Sequence, residues 1–182
     1  MALAEEILQA KEAADRFADA DEELIGIVPT EPRRGERVYL CAYARAHERR
    51  WLALDESASP VGERALVREA VSVAAMCELA EESAGGGDVG EVRARLVELR
   101  LSENPEGIDE AEQAAAELEG ALRAPPRLAS ASYLDEIGFA ATRLDHALGG
   151  ERSPFAEAMK VGAGAAEELA AEVERTYKSE LS

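Results

Sequence analysis

The chain predicts a mainly α protein: a compact single-domain bundle of about six helices over residues 1–182, with a small β-hairpin near residues 37–55. Three observations carry this. Helix starts are marked by capping side chains: Asp88-Val-Gly-Glu91, Asp109-Glu-Ala-Glu112 and Ser132-Tyr-Leu-Asp135 each set an oxygen three residues ahead of an acid. Ser59-Pro60 and Ser153-Pro154 pair a capping serine with proline, which tolerates the first helical position because its missing N–H would be unbonded there. Aromatic residues make up only 4% of a chain that is 47% hydrophobic, so the core must be built mainly from Ala, Leu and Val, which suits closely packed helices.

Taken in order, Leu3, Ile7, Ala10, Ala14, Phe17 and Leu24 recur at helical spacing and predict a long amphipathic first helix. Ile25 to Val28 then runs into Pro29 and Pro32, which end it. Residues 25–58 read as a hairpin or irregular insertion. Val38-Tyr-Leu-Cys-Ala-Tyr43 is rich in strand formers, Trp51-Leu-Ala-Leu54 is a second short apolar run, and the charged tract between them can form a hairpin tip. Ala, Leu, Arg and Glu also favour helix, so a helical reading of 37–55 stays open.

Val61 to Ala84 is apolar on nearly every face around Val71–Cys77, which predicts the central helix, ended by Gly85-Gly86-Gly87. Three more helices follow. The first carries Val92, Leu96 and Leu99 on one face, the second Ala111, Ala114, Leu118 and Leu122, and the third Tyr133, Ile137, Ala140, Leu144 and Leu148. The last helix carries Phe155, Met159, Ala166, Leu169, Val173 and Tyr177, and its Ala158, Gly162 and Ala165 would let another backbone approach closely. Connections are short, which favours antiparallel neighbours in a bundle.

With 38 acids against 20 Lys and Arg, the net charge is −18. Binding to nucleic acid or to anionic membrane needs a basic surplus, so neither is expected in general. No apolar run approaches membrane-spanning length, and the first residues lack the basic start and apolar stretch of a signal peptide. A cytoplasmic location is expected. Cys41 and Cys77 lie apart among apolar neighbours and read as buried thiols.

Two groups of residues could carry function. Glu78, Glu81 and Glu82 sit within one turn at the end of the central helix, where paired carboxylates can hold Mg²⁺ or Mn²⁺. Glu78-Leu-Ala-Glu81 is similar to the first half of the pattern of the all-α nucleotide pyrophosphatases, Glu-x-x-Glu followed by Glu-x-x-Asp. Ser132 and Thr142 stand where the second half would need a glutamate before Asp135 or Asp145. The second group is an arginine-and-aromatic patch of Tyr43, Arg45, Arg49, Arg50 and Trp51, able to stack on single-stranded nucleic acid or to grip an acidic ligand. There is no Gly-Lys-Ser/Thr phosphate loop and no Gly-x-Ser-x-Gly nucleophile elbow.

The favoured expectation is a non-catalytic acidic binding or assembly protein without a cofactor, acting on an unknown protein partner, with a homodimer suggested by the small residues of the last helix. One alternative is a Mg²⁺- or Mn²⁺-dependent hydrolase of nucleotides or phosphoesters. The other is an acidic mimic of nucleic acid that binds a basic protein.

Overall fold

A computed structural model describes residues 2–85, 89–122, 127–150 and 153–177. Among the described residues lie six helices and four strands, in the order α1 (Leu3–Asp15), β1 (Glu23–Arg33), β2 (Glu36–Arg45), β3 (Glu48–Leu54), α2 (Arg64–Gly85), α3 (Val89–Ser102), α4 (Ile108–Ala121), β4 (Ala129–Ser130), α5 (Ala131–Ala147) and α6 (Pro154–Thr176). The four strands form one mixed sheet in the order β3-β2-β1-β4, so the expectation of an all-α bundle is corrected to a helix-rich α+β fold. The chain divides into two compact units. The first comprises Met1–Ala75, Pro126–Ala131 and Ala165–Ser182, and the second Met76–Pro125 and Ser132–Gly164.

The sheet belongs to the first unit and is covered on both faces. Tyr39, Cys41, Tyr43, Leu52 and Leu54 point to one face and pack on Ala10, Ala13 and Ala14 of α1. Val38, Leu40 and Ala53 point to the other, against Val67, Ala70 and Val71 of α2 and Ala170 and Val173 of α6. Because strand side chains alternate, a central strand covered twice must be apolar at every position. Val38 to Tyr43 is buried throughout for that reason. The three alanines of α1 let its backbone lie close to the large side chains of β2 and β3.

The first helix is shorter than its apolar spacing predicts. It ends at Asp15, and the segment containing Leu24 to Val28 is strand β1, antiparallel to β2. Pro29 and Pro32 both lie inside that strand. Pro32 falls in the register shift between Thr30 and Arg33, a position where a ladder can spare an N–H. The buried Thr30 hydroxyl donates to the Val38 carbonyl at 2.7 Å beside this irregularity. Residues 36–54 form the β2–β3 hairpin, with Ala46 and His47 at its tip and Ala46 at φ +53°. This hairpin is half of a larger sheet, not an appendage to helices.

The second unit is helical. Leu96, Ile108, Ala111, Ala114, Leu118, Ile137, Leu144 and Phe155 share one core with Ala80 of α2. Of the expected α5 stripe Ile137, Ala140 and Leu144 are buried, Tyr133 is half-buried and Leu148 is exposed, and the helix closes before Gly149, whose φ of +84° suits a residue without a Cβ. Of the expected caps, Ser153 acts as read: its Oγ accepts the Ala156 N–H at 3.2 Å, with Pro154 opening α6. Gly107 caps α4 in place of Asp109, Ser132 lies inside α5, and α2 begins at Arg64, after a bridge between Pro60 and Leu54. Asp88, Gly86 and Gly87 lie outside the described residues.

Gly162 of α6 faces Leu79 of α2 within the second unit, so close that a Cβ there would collide with the leucine's Cδ2 and crowd its Cγ at 3.2 Å. The small residue thus serves docking inside the chain. Gly162→Val is expected to lower the urea-derived unfolding free energy by ~1–3 kcal/mol, the usual cost of overpacking a fitted contact.

Candidate functional site

The three α2 glutamates do not gather. Glu78 and Glu82 are exposed, whereas Glu81 is half-buried and its Oε1 accepts the Tyr133 hydroxyl at 2.6 Å. Tyr133 and α5 therefore engage one of the three carboxylates and leave the other two in solvent. Among the described residues, no group of three His, Cys, Asp or Glu side chains is placed to hold one ion.

The arginine-and-aromatic patch is split by the pleat of β3. Tyr43 is fully buried and its hydroxyl donates to the Ala14 carbonyl at 2.7 Å. Burial holds the phenol well above its ordinary range. The Arg50 guanidinium lies over the Tyr43 ring, 4.5 Å from its centre. It donates to both oxygens of Glu22 at 2.9 and 2.6 Å and to the Phe17 carbonyl at 2.8 Å. The Glu22 side chain is only 6% exposed, and the Arg50 hydrogen bonds hold its carboxyl down at about 2. Arg45 pairs with Asp21 at 3.3 Å. Arg50 and Arg45 tie the α1–β1 connection to the sheet and Tyr43 ties α1 to it, the Arg45–Asp21 pair lying at the exposed surface. Arg49 and Trp51, on the opposite face of β3, are exposed, Trp51 by 37%.

A polar cleft of about 270 Å³ opens between α1, β2 and the turn after β3, lined by Glu6, Gln9, Arg37, Tyr39, Asp55 and Glu56. Its central groups bond to one another. Glu6 accepts from Arg37 at 2.5 Å and from the Tyr39 hydroxyl at 2.9 Å, and burial plus the adjacent Glu6 push the Tyr39 phenol up to about 12. Asp55 is turned towards Ser57 and Ser59, whose amides it accepts at 2.9 and 3.0 Å.

A second depression, of about 560 Å³, is different in kind. It runs along α5 and α6 and is lined by Leu134, Gly138, Phe139, Thr142, Phe155 and Met159, with Asp135 as the one charged lining residue. Its floor is tight, since a Cβ at Gly138 would stand 3.4 Å from the Phe155 ring. Phe139 stands up from it, 68% exposed. Leu134 and Met159 pack partly against the core that holds Ile137, Ala140 and Leu144, whereas Phe139 lies on the far side of α5 from Ile137. Sequence reasoning missed the groove. The available signal was a phenylalanine lying off the buried stripe in a chain with only three.

The unit that holds the groove is acidic as a whole. The second unit's ranges contain eighteen Asp and Glu against seven Lys and Arg. Three of those arginines are paired within it: Arg93 with Glu119, Arg100 with Asp109 and Glu112, and Arg143 with Glu117. No helix among the described residues is long and apolar enough to cross a membrane. Comparison with known protein families, curated proteins and solved structures finds no match to this chain.

Proposed function

We propose that the chain is a non-catalytic acidic binding protein whose second unit receives a basic amphipathic helix in the α5–α6 groove. The observation that carries this reading is Phe139, a large aromatic side chain 68% exposed beside an apolar trough whose one charged lining residue is Asp135, with the Arg143 guanidinium 5.8 Å from its ring centre. Aromatic and methionine side chains in a groove are typical anchors for an amphipathic helix, whose apolar residues at i, i+3/i+4 and i+7 enter while its polar face stays outside. The acidic field supplies the choice of partner. It accelerates encounter with a basic segment and repels acidic ones. The same charge would let the chain occupy a surface that otherwise binds nucleic acid.

The test uses a labelled helical peptide with leucines at that spacing and lysines elsewhere, followed by fluorescence anisotropy. Phe139→Asp is expected to weaken binding by about thirtyfold, equivalent to losing a ~2 kcal/mol anchor. The affinity of the native chain should also fall with added salt. Binding that is unchanged by Phe139→Asp would overturn the assignment.

A further inference from the structure

Independently of that groove, we propose that two copies of this chain pair through the free edge of β3, in a single register centred on Arg50. Backbone parity defines the edge. Val61 N–H donates to the Ala53 carbonyl at 2.8 Å, Asp55 N–H donates to Ser59, and the Tyr177 hydroxyl lies 3.4 Å from the Ala53 amide. Ala53 therefore faces away from β2, and so do Trp51 and Arg49, at successive two-residue steps. β3 is the outermost strand of the sheet. Its edge is closed at Ala53 by Val61 and Tyr177 and ends at the Ala46-His47 turn. Between these limits the outward amides and carbonyls of Arg49 and Trp51 have no partner segment among the described residues.

Two donor–acceptor positions separated by one residue are self-complementary about a twofold axis. With the axis through Arg50, Trp51 stands opposite Arg49 of the partner subunit, and the same pair recurs on the other side. Four backbone hydrogen bonds close. Side chains opposite one another on a face are in contact range, so each guanidinium of Arg49 meets an indole across the axis, a favoured cation–π pairing. Shifting the axis to Arg49 would set the two Arg49 side chains against each other. Shifting it to Trp51 would require Ala53, whose edge is already taken. Only the Arg50 register remains. The Arg50 pair on the axis is drawn back over Tyr43 by its bonds to Glu22, which neutralises the like charges.

Sedimentation velocity from ~10 μM to ~1 mM tests this, the range in which so small an interface populates its complex. A dimer should build with concentration, and emission from Trp51, the only tryptophan, should shift with it. Arg49→Pro removes an outward N–H while sparing the bonds to β2, as edge prolines do, and is expected to leave a monomer with an unchanged circular dichroism spectrum. Trp51→Ser keeps the backbone and should weaken the dimer about tenfold, which decides the matter should the proline variant misfold. A native chain still monomeric at ~1 mM, a folded Arg49→Pro variant that still dimerises, or a Trp51→Ser dimer of unchanged affinity would each overturn the proposal. So would an edge that takes only extended peptides of other sequence.

Discussion

Arg50→Ala is expected to lower the unfolding free energy by ~3–5 kcal/mol, because it strands the Glu22 carboxylate in a site that is nearly closed to water. The guanidinium fills three roles at once, bonding both Glu22 oxygens, holding the Phe17 carbonyl and covering the Tyr43 ring. Urea denaturation at neutral pH measures the loss. The same pair makes a pH prediction. The folded Glu22 titrates at about 2 instead of its ordinary 4.5. Its contribution is therefore fully present above about 4.5, and it drains away as pH falls through that window towards 2. Arg50→Ala and Glu22→Gln should both flatten the dependence of stability on pH between those limits. A native-like slope in either variant would mean that the acid limb arises from other carboxylates, such as Glu69 beside Arg33.

Tyr177→Ala is the other large effect, also ~3–5 kcal/mol, since it empties a buried aromatic site where the end of α6 meets the sheet. Tyr177 packs with Val38, Leu40, Ala53 and Val61, and its hydroxyl donates to the Val61 carbonyl at 2.9 Å. Tyr177→Phe keeps the ring and leaves that carbonyl unsatisfied, at a cost of ~1–3 kcal/mol. Amide exchange at Ala53 should be faster in both variants than in the native chain. If Tyr177→Ala melted like the native chain, α6 would not be part of the sheet's cover.

The helices of the second unit are legible because their signals are local: Ser153 beside Pro154, the stripe of Ile137, Ala140 and Leu144, and Gly149 at a helix end. The sheet is harder to see. β1 carries two prolines, and its apolar run Ile25–Val28 is short enough to pass for the end of a helix whose spacing Phe17 and Leu24 continue. β4 is two residues long and exists only through its parallel pairing with Thr30 and Glu31. Such pairings are fixed by tertiary contacts, which periodicity does not encode. The arginine-and-aromatic patch was located by composition, but strand alternation decides its use: Tyr43 and Arg50 turn inward, Arg49 and Trp51 outward. The acids Asp21 and Glu22, twenty-odd residues away, were the missing partners.

The groove escaped for the opposite reason. Titratable side chains draw attention to the α2 glutamates, whereas the recognition surface proposed here is defined by Leu134, Phe139 and Met159, with Asp135 the one charged residue in its lining. Its reading as a docking site joins sequence to function through packing, since α5 spends its apolar stripe on the core and leaves Phe139 outside it.

Residue-resolved NMR during titration with the basic amphipathic peptide tests that claim most directly. Shifts concentrated at Leu134, Gly138, Phe139, Phe155 and Met159 are the expected result. A titration that saturates while those five signals stay still would contradict it.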